Sequence, residues 1–576
     1  MIAHLLLSPY DHASDDRKGT QSAILWEIGT PLLFFPVLAF ILTTLWLTAG
    51  SALSAPVAWI ILGASLAGGL YLPRFFLSGR WRFAPLVSVG LIVAALIVTG
   101  LVHDTSMDGQ HYHFQAIYAL AQGWNPLHGN AEPAVISDPI TLWAIHYPRG
   151  GWDFAALLMT AGFPLAMGKV LNLLVLFAGA AVLGGALFRA GFSWLFSALL
   201  TAVVSLNPIV LSQLFTAMND GLLGVCILIF TVSIMMWARY DDKLALATAL
   251  ITLLLALNLK FSAIPMFVIL CGFACAGIFF QRGLRPAAAL AAGLFASAFV
   301  AVVLLGWSPY MQNFLDQGHI FHPIMGPNAV DIMTGEGPAL DNTPEVLEGM
   351  SAAERFFYSL FSETHSGYAT TPQLKFPLSI SSQELRAAGG VDVRLSGFGP
   401  FFSGIFLLSI AAALALVVRP RWRSETTLWL LVISAMMIFS VIVMPQNWWA
   451  RYVPQFWFVP VAITAAALAA NSRAAQILGG LILALMLFNS LIVGAAGARL
   501  AAQRGAEVNA QINAMAAAGG RYCVYPDMAH SRIYLMREAG LDIRYQPAEA
   551  IACAEPQEIA GYGPDRYGGA ICSCQD

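Results

Sequence analysis

The chain has 576 residues, 58% of them hydrophobic, with a mean hydropathy of +0.71 and a net charge of −3. Charged side chains make up 11%, less than half of the roughly one quarter usual in soluble domains. No soluble core absorbs that much apolar surface, which excludes a cytosolic enzyme and a disordered chain, and the few dispersed basic residues offer nothing to a nucleic acid.

In chain order, thirteen apolar stretches approach the roughly 20 residues needed to cross a bilayer. They lie near 24–49, 54–72, 84–102, 168–188, 192–206, 219–238, 244–257, 261–280, 286–306, 399–418, 427–444, 453–470 and 475–498. Their Gly and Ala content suits close helix–helix approach. The expectation is an all-α polytopic membrane protein with about thirteen transmembrane helices over 24–498, preceded by a cytoplasmic tail at 1–23. The apolar run Leu5–Leu7 is too short for a signal peptide, and Asp15 and Asp16 follow it. Residues 153–166 read as a helix on the outer membrane surface.

Positive charge sets the sides. With Arg17 and Lys18 in the cytoplasm, the inner loops hold Arg74, Arg80 and Arg82, then Arg189, Arg239, Lys243, Arg282, Arg285, Arg419, Arg421, Arg423 and Arg473. The opposite short loops hold little beyond Lys260 and Arg451. This places loops 103–167 and 307–398, together with residues 499–576, outside a bacterial inner membrane.

The C-terminal region reads as a small extracytoplasmic α/β domain. Arg521–Tyr525 has a strand pattern, Ser531–Ala539 a helical one and Ile543–Tyr545 a second strand. It contains Cys523, Cys553, Cys572 and Cys574, which in an oxidising compartment imply one or two disulfides of unassigned pairing, with a zinc site as the competing reading. Cys226, Cys271 and Cys275 fall inside spans and read as small buried hydrophobes.

Polar residues of a membrane protein are costly unless used. The first outer loop opens HDTSMDGQHYHFQAIYALAQGWNP, from His103 to Pro126. It sets Asp104 and Asp108 at the outer end of a helix, with Tyr112 and His113 following. Helix capping is the competing reading for both carboxylates.

Asp108, Tyr112 and the Ala/Ile-rich helix ending in GWNP resemble the first outer loop of the GT-C glycosyltransferases. These polytopic enzymes take sugars from polyprenyl-phosphate carriers, and they include the bacterial aminoarabinose transferases and the protein O-mannosyltransferases. Further pieces resemble the family in order: His146-Tyr147-Pro148, Asn219-Asp220 at the start of a span, Lys260-Phe261, the NFLDQGHIFHP segment from Asn313 to Pro323, and Arg451-Tyr452 with Pro454. The likeness covers roughly 84–470. Two departures stand out: the acidic pair often seen as Asp-Glu is Asp108-Gly109, and two extra spans precede the motif.

The resemblance implies transfer of a sugar from a polyprenyl-phosphate donor to a glycan, glycolipid or protein acceptor, with inversion. Such chemistry needs a base for the acceptor hydroxyl and positive charge on the departing phosphate. Asp108 is the expected base, with Asp104 and Asp220 as further candidate carboxylates. Arg451 and Lys260 are expected at the phosphate, with Tyr112, His113 and His146 around the donor and His319 and His322 on an acceptor-covering flap. An interfacial anchor among Trp448, Trp449 and Trp457 is the competing reading for Arg451, and snorkelling to the headgroups for Lys260. Asp220 reads equally as an N-cap. No cofactor is expected; a metal on Asp108, His111 and His113 would need an extended chain there. The flap would carry Asp331, Glu336, Asp341, Glu345 and Glu348. Two other readings remain: an O-antigen ligase or polymerase with a diphosphate-linked donor, and a transporter of lipid-linked saccharide.

Overall fold

The computed structural model describes residues 12–76, 81–129, 138–330, 343–366, 372–527, 529–547, 556–561 and 569–574. Each of the thirteen apolar stretches is helical. Eight helices are long and apolar enough to cross a membrane: Gly19–Thr48, Ala55–Phe76, Leu165–Arg189, Asp220–Tyr240, Ala263–Arg282, Leu284–Leu305, Glu425–Ile442 and Arg473–Ala518. Five more, Ala84–Gly100, Trp194–Ser205, Lys243–Leu257, Phe402–Val418 and Pro454–Leu468, are apolar but shorter. Asp220–Tyr240 sits in the middle of the bundle, with 83% of its most apolar stretch buried, whereas Leu284–Leu305 buries only 22%. Its exposed face, with Phe295 and Phe299, matches that of Ala263–Arg282, with Val268 and Phe280. Apolar faces of that extent match a lipid phase and mark a membrane protein.

The two ends of the bundle differ in chemistry. At one end Arg189 pairs with Asp242 at 2.5 Å, Arg282 with Asp241 at 3.3 Å and Arg74 with Glu27 at 2.8 Å. All three arginines come from loops expected to share a side. At the other end Asp108, Asp220, Lys260 and Arg451 meet. Chain segments grouped by charge are therefore also grouped in space.

Three expectations need correction. The first candidate span starts at Gly19 and its helix by His12, so the boundary expected between 23 and 24 falls inside a helix. Residues 153–158 do not lie on a surface: the helix Gly150–Thr160 has Trp152 through Leu158 buried against the first helix and the helix Phe114–Ala121, and only the turn that follows, with Gly162 and Pro164, is exposed. Trp448, Trp449 and Trp457 are no aromatic belt, since all three are buried in protein. The segment after 307 is folded where described. It carries the helices Ala352–Phe361 and Ser382–Ala387, each opened by a capping box, Ser351 with Glu354 and Ser381 with Glu384. Glu384 also pairs with Lys375, whose Nζ donates to the Pro400 carbonyl at 2.6 Å and pins the segment to the start of Phe402–Val418. Asp331, Glu336 and Asp341 lie outside the described residues.

The 46-residue helix Arg473–Ala518 leaves the bundle and carries the C-terminal domain. There Arg521–Tyr525 pairs in parallel with Asp542–Tyr545, Arg521 opposite Asp542, and the helix His530–Glu538 connects them. This is the βαβ unit expected from sequence. On its other side Arg521–Tyr525 pairs antiparallel with Ala570–Ser573, which in turn pairs with Gln557–Glu558. These two short strands carry too little pattern to be read from sequence. Cys523 and Cys574 form a disulfide and Cys572 is also disulfide-bonded, which removes the zinc reading for these three residues. Cys553 lies outside the described residues.

The Cys523–Cys574 bridge closes a 51-residue separation. Its removal by Cys523→Ala should destabilise the domain by about 2–4 kcal/mol. Hydrogen exchange across Arg521–Tyr525 should accelerate while the transmembrane helices keep their protection; unchanged exchange in the strand would count against a structural role for the bridge.

Candidate functional site

The site is built around the guanidinium of Arg451, which lies in a short turn, Ala450–Tyr452, ahead of an apolar helix. Its Nη1 donates to Asp392 Oδ1 at 3.3 Å and sits 3.1 Å from Asp108 Oδ2, while Nε lies 3.8 Å from Asp220 Oδ2. The guanidinium stacks over Trp449 at 4.4 Å. Burial disfavours its charge, but Asp392 and then Asp108 more than offset this and hold its pKa well above the ordinary arginine value. Lys260 pairs with Asp220 and lies 4.2 Å over the Tyr452 ring, so it points into the protein instead of snorkelling outward. Asp220 opens the helix Asp220–Tyr240 and accepts from Gln213 Nε2 at 3.2 Å. It anchors two cations.

The two early carboxylates have different fates. Asp104 accepts from Ser106 N at 2.7 Å, from Ser106 Oγ at 2.6 Å and from Ala217 N at 2.7 Å. It clamps the loop at 103–109 to the segment before Asp220, and it is not part of the Arg451 cluster. Burial raises its pKa, against those hydrogen bonds. Asp108 precedes the single π-turn Gly109–His113 and makes no capping hydrogen bond, so its carboxylate is left for Arg451. Gly109 explains the departure from an Asp-Glu pair. A Cβ there would lie 2.1 Å from Asp104 Oδ2 and 2.5 Å from Ser106 Oγ, so the clamp excludes any larger residue.

The π-turn turns Tyr112 and His113 into an aromatic wall beside the charges. Tyr112 stacks on Trp143 at 4.6 Å and meets Tyr147 at 5.7 Å, and Tyr147 stacks on Trp152 at 5.4 Å. Trp152 Nε1 donates to His113 Nδ1 at 2.7 Å, and burial holds His113 down to about 3, so the ring is neutral. Burial, with Asp108 and Asp220 nearby, pushes the Tyr112 and Tyr147 hydroxyls well above their usual range.

The remaining histidines form another group. His146 Nδ1 bonds Asn313 Oδ1 at 2.6 Å and its ring meets that of His322 at 4.6 Å. His319 Nδ1 accepts from Phe321 N at 3.1 Å within its own turn. Asn313 donates to the His322 carbonyl at 2.8 Å, so the NFLDQGHIFHP segment is tied to the HYP segment and not to Arg451. Among the described residues no group of three or more His, Cys, Asp or Glu is arranged to hold a metal.

Sequence reasoning missed two pairs. Asp392 and Arg394 come from the VDVRLSGFGP stretch, and two opposite charges two residues apart in an apolar run were the available signal. Arg149 and Asp153 form a buried pair at 3.2 Å one turn apart in the helix after HYP; it fixes the start of that helix.

Comparison of the chain with protein-family models, with curated proteins and with solved structures found no match.

The C-terminal domain covers the segment that carries Asp108. Tyr534 stacks on Tyr118 at 3.8 Å, Glu538 accepts from Leu165 N at 2.7 Å, and His103 bonds Asn509 at 2.8 Å. A cleft of about 370 Å³, lined by His103, Pro164, Asn509 and Glu538 among others, remains along this seam. Burial holds His111 down to about 4 and, at the facing helix, His530 to about 3, both from 6.5. A histidine lowered in the docked state destabilises docking as it is forced to take a proton. Docking should therefore be intact above pH ~6.5 and weaken progressively towards pH ~4. Hydrogen exchange of His530–Glu538, corrected for intrinsic rates, should rise over that window and rise less in His530→Gln; a flat profile in the wild-type chain would refute the coupling.

Proposed function

We propose that the chain is a membrane glycosyltransferase that moves a sugar from a polyprenyl-phosphate carrier to an acceptor hydroxyl at the extracytoplasmic face, with inversion. The observation that carries the reading is the convergence of Asp108, Asp220, Lys260 and Arg451. Four segments far apart in sequence bring one uncapped carboxylate and two cations to one place. The elements differ in freedom: Asp220 is held by Lys260 and Gln213, and Asp108 is the carboxylate with no capping duty.

In this mechanism Arg451 and Lys260 hold the donor phosphate, the former by its fork and the latter as a point charge. Asp108 takes the proton of the acceptor hydroxyl as its oxygen bonds to the anomeric carbon. The anomeric carbon–oxygen bond to phosphate breaks on the opposite side, and its electron pair leaves with the lipid phosphate. The wall of Tyr112, Trp143 and Tyr147 offers aromatic faces to a sugar ring. The acceptor, whether glycan, glycolipid or protein, approaches from the side that His319, His322 and the 307–398 segment border. The reaction as written calls on no cofactor.

Asp108→Asn keeps the shape of the site and removes the base. Turnover of a polyprenyl-phosphate sugar should fall by about 10²–10⁴-fold, with little change in thermal stability, because Asp392 and Asp220 still face Arg451. Retention of most activity would remove Asp108 from the role. Mass spectrometry of lipids that copurify with the detergent-solubilised protein should find a polyprenyl phosphate or its sugar conjugate in the wild type and lose it in Arg451→Ala. A diphosphate-linked oligosaccharide in its place would favour a ligase instead.

A further inference from the structure

Three carboxylates and three cations are gathered here. Arg451 contacts Asp108, Asp220 and Asp392; Lys260 contacts Asp220; and Arg394 Nη2 lies 3.5 Å from Asp392 Oδ2. Formal charge balances. A phosphate ester brings a further −1 to about −2, so a phosphate that joins Arg451 must replace one of the carboxylates or face all three.

The three are not equally replaceable. Asp220 is fixed by Lys260 and Gln213 at the first turn of a buried helix. The backbone at Asp108 is held by the π-turn behind it and by Gly109, which packs against Asp104 and Ser106, and in the mechanism above its carboxylate stays as the base. Asp392 stands in a turn without regular structure, in the 307–398 segment. The backbone just after it is tied down: Arg394 N donates to the His365 carbonyl at 2.9 Å and Ser396 N to that of Ser359 at 3.0 Å. Asp392 thus sits on a turn beside a pinned backbone, outside the helical elements that carry Asp108 and Asp220.

Asp392 also has the geometry of a bound anion. Its Oδ1 accepts from Arg451 at 3.3 Å and its Oδ2 faces Arg394 at 3.5 Å, so one carboxylate bridges two guanidinium groups. Both guanidiniums stack on the indole of Trp449, Arg394 at 3.7 Å and Arg451 at 4.4 Å. Arg451 Nε is buried with no hydrogen bond, its nearest carboxylate oxygen being that of Asp220 at 3.8 Å. A donor directed into the cluster and left unsatisfied is costly unless a ligand completes it.

We propose that Arg394 and Arg451 form a two-arginine site for a phosphate ester, and that Asp392 is an internal anion that occupies this site until the phosphate displaces it. The site exists as an anion site whatever the ligand. Its assignment to the phosphate of a lipid carrier rests on the glycosyltransferase reading. A phosphate monoester, with up to about −2 charge and three terminal oxygens, engages both guanidiniums more fully than a carboxylate does, and the diester donor matches the carboxylate in charge and in its two terminal oxygens. Arg394 is then a binding residue, and Asp392 sets how much of the phosphate's binding energy is used in exchange.

The test measures binding of a short-chain polyprenyl phosphate, and separately of inorganic pyrophosphate, to the full-length detergent-solubilised protein. Wild type, Asp392→Asn and Arg394→Gln are compared at one ionic strength. Asp392→Asn should bind the lipid phosphate roughly tenfold tighter and Arg394→Gln roughly tenfold weaker, as expected for gain or loss of one charged hydrogen-bond partner. Opposite directions in two variants cannot come from misfolding, which weakens both. Unchanged or weaker binding in Asp392→Asn, with the wild type binding normally, would overturn the displaced-anion role and leave the glycosyltransferase reading standing. Tighter binding of pyrophosphate alone in Asp392→Asn, with no lipid phosphate bound by any of the three proteins, would keep the anion site and defeat the lipid assignment. No phosphate bound by any of them would defeat the inference itself.

Discussion

A guanidinium nine-tenths buried in a mostly apolar protein holds only if opposite charge surrounds it. Removing one partner of such a pair typically costs about 3–5 kcal/mol, because the charge left behind is uncompensated. Arg451 meets this demand with carboxylates from three distant segments, at 108, 220 and 392. The constraint reaches outward from there. Asp220 must open its helix at the right height, which Gln213 secures by accepting from Gly221 N at 2.8 Å while donating to Asp220. Asp108 must stay uncapped, and the π-turn after it allows that. The loop that carries it must lie against residue 217, and Asp104 ties it there. A cluster of this kind is a poor source of net stability and a strong source of uniqueness: Arg451 stays compensated when one carboxylate is neutralised, but not without the fold that gathers them.

This accounts for what was legible in the sequence and what was not. The thirteen helical stretches were legible because apolar length is a local property, and the charge distribution grouped the loops that later meet. Asp108, Asp220, Lys260 and Arg451 were legible as ionisable residues at the ends of apolar runs, where an unused charge is costly. Asp104 looked equivalent to Asp108 because spacing does not show which carboxylate meets a backbone N–H 113 residues away. Asp392 was missed for a related reason: its spacing from Arg394 in an apolar run was a signal, but in a long loop it carries no cost until the fold brings it against a buried arginine. The tryptophans near 448 misled because an aromatic belt and a buried aromatic shelf have the same composition. Gly109 looked like a departure from a motif and is instead a steric necessity of the Asp104 clamp.

The C-terminal domain has a different relation to the site. Its contacts fall on the segment behind Asp108, through Tyr118, His111 and Leu165, and not on Arg451 itself. It supports the π-turn from outside. Its own stability is covalent, through Cys523–Cys574, and comes from a small sheet whose central strand is Arg521–Tyr525. A bundle whose interior is held by packing is thus joined to a cap held by disulfides, and the shared element is the 46-residue helix that belongs to both.

On the proposed reading, the position of the charges sets the route of the donor. Asp220 and Arg451 stand at the ends of apolar helices, which on this reading face the headgroup region. A lipid-borne phosphate already lies at that depth, so it reaches Arg451 by lateral approach without crossing hydrocarbon. Placing the internal anion on the 307–398 segment, and not on a helix, follows from the same geometry. The carboxylate that must yield is the one carried by the covering loop, while the base and the anchoring Asp220 remain on elements that the membrane and the bundle hold still.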